Sequence, residues 1–234
     1  MLVALPAWGA PLPSPSPRAA VTAPALVEAA EPGVVRPEQV RLLEAARRGE
    51  LDVVKRLVEA GENVNPPAGW RTPLIAAALH SHIAVMEYLL AKGADVNARD
   101  RLGRSALWAA VWGDQPAALR LLLSKGADVN VSAKTGDTLL FMAVEGGRLE
   151  MARELITRGA AIDRPSQNPL WKGYTPLQRA VTLRNAGLVA LLLEHGADRQ
   201  VKNDLGRTAA DLAAALPAGP DADEIRKLLA PAKR

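Results

Sequence analysis

The residues here that could do chemistry are three histidines, a set of evenly spaced carboxylates, and some scattered arginines and tryptophans. His80 and His82 stand two apart in LHSH, and paired imidazoles are a common start for a metal site. On a regular helix, residues two apart do not face each other. No Asp or Glu cluster joins them at metal-ligand spacing. His80, His82 and His195 therefore read as loop and surface residues. The chain has no cysteine, which excludes structural disulfides, thiol catalysis and Cys-ligated zinc. The glycine-rich phosphate and dinucleotide loops, HExxH and GxSxG are all absent. No constellation for an enzyme, a cofactor or a metal emerges. Asp95, Asp128 and Asp163 recur at fixed spacing, and recurrence explains them better than catalysis does.

Two of those carboxylates sit inside one word, KGADVN, at 92–97 and again at 125–130. Related words place Gly61, Gly93, Gly126, Gly159 and Gly196 at intervals of 32, 33, 33 and 37. A second marker keeps step. Thr72, Ser105, Thr138 and Thr175 each precede a glycine by 21 residues, and Thr208 continues the series. Counting back from Gly61 reaches Val40, which begins a degenerate first unit. Two residues after each marker stand Leu42, Leu74, Leu107, Leu140, Leu177 and Ala210. Five after stand Ala45, Ala77, Ala110, Ala143, Ala180 and Ala213. A period of this length is the signature of a solenoid, in which each unit buries its apolar face against its neighbours.

Each unit reads as a helix pair. Thr72 is a good N-cap and Pro73 suits the first helical position, which needs no N–H donor. Leu74, Ala77 and Ala78 lie on one helical face. A second helix follows with Ile83, Met86, Leu89 and Leu90, and Gly93 supplies the left-handed residue that ends it. ADVNARDRLG then reads as an extended arm with a tight turn.

RTPL at 71–74, YTPL at 174–177, the KGADVN pair and the 33-residue spacing together resemble the ankyrin repeat. The resemblance spans roughly residues 37–230. It implies an all-α solenoid of about six helix-turn-helix units with extended β-turn fingers, at about 37–69, 70–102, 103–135, 136–172, 173–205 and 206–230. The family usually has a histidine three residues after the Thr, tying adjacent turns together. Here that slot holds Ile75, Trp108, Phe141, Gln178 and Asp211. Apolar bulk in three of them either repacks the core or leaves apolar surface for a partner.

The resemblance also implies a non-catalytic role: binding a protein through the concave surface, as scaffold, adaptor or inhibitor. Carried over by register, that surface holds Arg71, Arg101, Leu102, Arg104, Lys134, Trp171, Lys172 and Tyr174 at the turn tips. Leu79, Trp112 and Glu145 lie at the ends of first helices. Cations outnumber carboxylates in this set, and Trp112 and Trp171 are the expected anchors, so the expected partner is a protein with an acidic face. A basic groove with aromatics is also the footprint of nucleic-acid binding, but the formal net charge is only +4 and no nucleic-acid motif is present. A monomer is expected. The interval of 37 adds four residues before Thr175, with Pro165, Pro169 and Trp171. Trp171 either binds there or folds back onto a neighbouring turn. Trp70 takes the slot that is glycine in other units, so its turn must be built differently, with Gly69 available for it.

Residues 1–36 are rich in Pro and Ala and have no helical or strand period. They read as a disordered leader. Ala7-Trp8-Gly9 has the small-x-small form of a cleavage site, but no basic region precedes the short apolar run. Two readings stay open: the end of an export signal that starts upstream of Met1, or a cytoplasmic chain. No apolar run approaches the roughly 18 residues of a membrane span.

Overall fold

A computed structural model describes residues 37–67 and 69–230. The expectation of a disordered leader over 1–36 lies outside the described residues. Twelve helices are present among those described, in six antiparallel pairs. They are α1 (Pro37–Arg48) with α2 (Leu51–Glu59), α3 (Pro73–Leu79) with α4 (Ile83–Ala91), and α5 (Ala106–Trp112) with α6 (Pro116–Ser124). The chain continues through α7 (Leu139–Glu145) with α8 (Leu149–Thr157), α9 (Pro176–Thr182) with α10 (Ala186–Glu194), and α11 (Ala209–Ala214) with α12 (Pro220–Leu229). First helices pack on first helices along the stack, and second helices on second helices, giving two layers. No strand occurs among the described residues, only two isolated bridges, Gly69 with Asp100 and Ser132 with Thr138. No described helix is long and apolar enough to cross a membrane.

The markers do what their chemistry predicts. Thr72, Ser105, Thr138, Thr175 and Thr208 each accept a hydrogen bond from the backbone N–H three residues on, at 3.1–3.3 Å. Such a cap contributes about 1 kcal/mol. The alanine slot is at most 3% exposed in all six units. There the first helices pack on one another along the stack. The leucine slot is buried in five units, whereas Ala210 in the last is exposed, because no further unit covers it.

KGADVN recurs because its last residue joins neighbouring units. Asn65, Asn97 and Asn130 donate through Nδ2 to the carbonyls of Gly93, Gly126 and Gly159 in the next unit. Their Oδ1 atoms accept from the backbone N–H of Asp95, Asp128 and Ala161. Asp163 continues the ladder by accepting from Asp198 N. Gly93 has φ +85°, the left-handed value that its position requires.

Two local details concern the last helix and the Trp70 turn. The N-cap of α12 is Gly219 with Pro220 at the first helical position, while Asp221 and Asp223 fall in the first turn, where they favour the helix dipole rather than cap it. In the Trp70 turn, Gly69 takes φ +86° and bridges to Asp100 of the next finger.

Candidate protein-binding surface

The finger turns and the ends of α3, α5, α7 and α9 position the residues expected to bind. The third finger is braced by Asp100. Its Oδ1 accepts from the backbone N–H of Leu102 (2.9 Å) and Arg104 (3.0 Å), and its Oδ2 takes the Arg104 guanidinium at 2.6–2.7 Å. Arg104 is thus spent partly on its own finger, and its guanidinium also lies 5.6 Å from the Trp108 ring centre. Arg71 is half-buried beside this pair. Burial, and then the nearby Arg104, hold its pKa below the ordinary arginine value, with Asp100 offsetting this in part. Arg101 and Leu102 are exposed at the tip, with Arg101 resting against Gly69. The exposed Lys134 donates its backbone N–H to Leu102 O, so the next finger leans on this one.

Trp112 ends α5 and is 58% exposed. Its ring stacks on Trp108, with centres 5.3 Å apart and planes 10° from parallel. Arg148 from the next unit fixes the backbone beneath, donating to Val111 O at 2.7 Å and pairing with Asp114 at 3.1 Å. Leu79, by contrast, packs against the core. Trp108 and Phe141 are both buried, so the apolar slots repack the core, and Gln178 makes the inter-turn tie by donating to Val201 O and Arg207 O.

The four-residue insertion is internally braced. The Ser166 hydroxyl donates to Asp137, whose other oxygen accepts from Asn168 Nδ2 at 2.8 Å. Ser166 and Tyr174 are joined by a 2.9 Å backbone hydrogen bond. Trp171 folds back rather than projecting. Its face meets the Arg179 guanidinium at 3.6 Å, and its edge meets Tyr174, with ring centres 5.7 Å apart. Arg179 in turn forks onto Glu145 of the preceding unit. The exposed apex falls to Leu170, 80% accessible, with exposed Lys172 close by in sequence.

The structure therefore gathers the expected residues into two groups. Arg71, Arg104 and Trp112 cluster with Trp108, while Glu145, Trp171 and Tyr174 cluster with Arg179. Sequence reasoning missed Arg179 and Leu170. Arg179 was detectable, because four residues after the marker the second, third, fourth and sixth units carry Ala76, Ala109, Met142 and Leu212. A lone arginine in an apolar slot needs a partner.

A family model of three copies of the ankyrin repeat matches residues 42–133 and 130–203. The chain belongs to the ankyrin-repeat family. A crystal structure of an ankyrin repeat domain from Acinetobacter baumannii AYE superimposes with a TM-score of 0.71 at 29% identity, covering 80% of this chain and 95% of that one. A 57-residue stretch is 51% identical to alpha-latrocrustotoxin-Lt1a of Latrodectus tredecimguttatus. That stretch is 24% of this chain and 4% of the toxin, so the likeness covers a small part of each. Ankyrin repeats in general mediate protein–protein interaction.

Proposed function

We propose that this ankyrin protein is a non-catalytic, monomeric binding module that takes a protein partner with an acidic face against its concave surface. The observation that carries this reading is Trp112. A tryptophan 58% exposed, stacked on a buried neighbour and held on a braced backbone, is a ready interface anchor. Lys134 and Lys172 supply exposed positive charge along the same row of fingers, and neither forms an ion pair among the described residues.

Charge pairing favours a protein over a nucleic acid. Arg47, Arg104, Arg148 and Arg179 each pair with a carboxylate of this chain. A groove that tracks phosphates depends on many uncompensated cations; a protein interface needs a few anchors and a complementary rim. The test is a cross-linking pull-down with the full chain from its own cell extract, followed by affinity measurements on the partner recovered. Trp112→Ala should weaken binding at least about thirtyfold, the effect of a hot-spot loss of about 2 kcal/mol. Lys134→Glu and Lys172→Glu should slow association and reduce its salt dependence. Unchanged binding in all three would move the site off the concave face.

A further inference from the structure

Where the second and third units meet, two guanidiniums, Arg71 and Arg104, lie near one carboxylate, Asp100, and close to an exposed aromatic. Asp100 is the acid that serves both guanidiniums. Both its oxygens are occupied, Oδ1 by two backbone N–H groups and Oδ2 by Arg104. Arg71 has no hydrogen bond or ion pair among the described residues. It is nevertheless half-buried, and the push of Arg104 on it exceeds the pull of Asp100. A partly desolvated, uncompensated cation attracts an anion more strongly than a solvated one does. The patch also keeps an unspent donor: Trp108 is 7% exposed, and its indole N–H is buried with no acceptor among the described residues. Trp112 lies stacked over that ring and faces solvent.

We propose that Arg71, Arg104 and Trp112 form a subsite for an acidic peptide segment, in which an Asp or Glu carboxylate seats at Arg71 and Arg104 and an adjacent apolar side chain packs on Trp112. The proposal rests on the concave-face reading above and adds where the acidic group of the partner docks. A carboxylate fits better than a phosphate, because Arg104 is already shared with Asp100 and one open guanidinium matches one negative charge. The apolar surface of Trp112 beside it calls for a side chain next to the acid. Lys134 and Lys172 then act at a distance as rim charges.

The test uses the full chain and a random dodecapeptide display library as the probe. Selected peptides should carry Asp or Glu within about three positions of an aromatic or leucine. Their affinity should fall at least tenfold for Arg71→Gln and for Trp112→Ala, with both variants melting as the parent does. Replacing the peptide acid by its amide should also cost tenfold. Combined with Arg71→Gln it should cost little more, because a direct contact is lost only once. Absence of enrichment, selection of peptides without acids, or additive losses would overturn the subsite. If the peptides respond only to Lys134→Glu and Lys172→Glu, the subsite falls and the concave-face reading stands. If no concave substitution matters, both fall.

Discussion

Arg179 shows how one residue can be costly alone and neutral in company. It is 8% exposed, sandwiched between the Trp171 ring and the Glu145 carboxylate. Glu145→Ala leaves a buried guanidinium without its counter-charge. For fully buried pairs this costs 3–5 kcal/mol; here Glu145 is half open to solvent, so we expect about 2 kcal/mol. Adding Arg179→Met to Glu145→Ala removes the stranded charge and should recover most of that loss. Urea midpoints of the single and double variants check this, and a double variant weaker than the single would refute it. Glu44 gives a prediction in pH. Its hydrogen bond to Arg47, with help from Arg48, lowers its pKa to about 2. A depressed carboxylate pKa stabilises the fold above the unfolded value of about 4.3, and the gain is lost as pH falls towards about 2. Glu44→Gln should therefore lower the stability slightly at pH 6, by about 0.5 kcal/mol or less for a surface pair, read as a small fall in melting temperature. The difference should shrink steadily between pH 4.5 and 2.

At the scale of the element, the two helices of the second to fifth units are joined by a residue in the left-handed region. The slot nine residues after the marker holds Ser81, Asp114, Gly147 and Arg184, with φ between +57° and +67°. Glycine takes this conformation without the cost that a side chain incurs. Asp114 and Arg184 have further roles, Asp114 in pairing with Arg148 and Arg184 in packing near Gly219. Ser81 makes no side-chain hydrogen bond among the described residues, so Ser81→Gly isolates the backbone term. It should stabilise the protein by up to about 1 kcal/mol, the relief of strain being offset by the freedom that glycine gains when unfolded. A melting temperature unchanged or lowered would refute that account. The spacer positions of the Asn ladder behave in the opposite way. Asn97→Ala removes two bonds to the next unit, at Gly126 O and Asp128 N. It should cost about 1–2 kcal/mol, since both groups lie near solvent and can turn to water.

For the whole molecule, stability is approximately a sum of unit and neighbour terms. The last pair covers apolar surface of the fifth unit: α11 packs on α9, and α12 packs on α10 and α11. Ile225 and Leu229 on α12 are buried there, while Asp221, Asp223, Glu224 and Lys227 face solvent. This is the arrangement of a cap. Removing residues 207–234 should expose the faces of α9 and α10 that carry Leu188 and Leu192, and it takes away the carbonyl of Arg207 that Gln178 ties to. The truncated chain should associate and scatter light at concentrations where the full chain does not. A truncated chain that stays monomeric and equally stable would refute the capping role.

The sequence by itself determined the repeat, its length, the caps and the helix-ending glycine of each KGADVN, because these rest on contacts within about four residues or on slots that every unit repeats. Thr72 caps Ile75 wherever the chain runs next, and Gly93 takes its positive φ for local reasons. It could not determine which charges remain open for a partner. Arg179 meets Glu145, Arg148 meets Val111, and Asn65 meets Gly93 across gaps of 28 to 37 residues. Stacking alone sets those pairings. Read as a row of letters, the fingers list five cations, Arg71, Arg101, Arg104, Lys134 and Lys172. Once folded, Arg104 answers Asp100, Arg47 answers Glu44, and Trp171 turns inward beneath Arg179. The tertiary structure left Trp112 and Leu170 projecting and Arg71 uncompensated. The fold is written in local preferences, but the free surface is what remains after neighbouring units have satisfied one another.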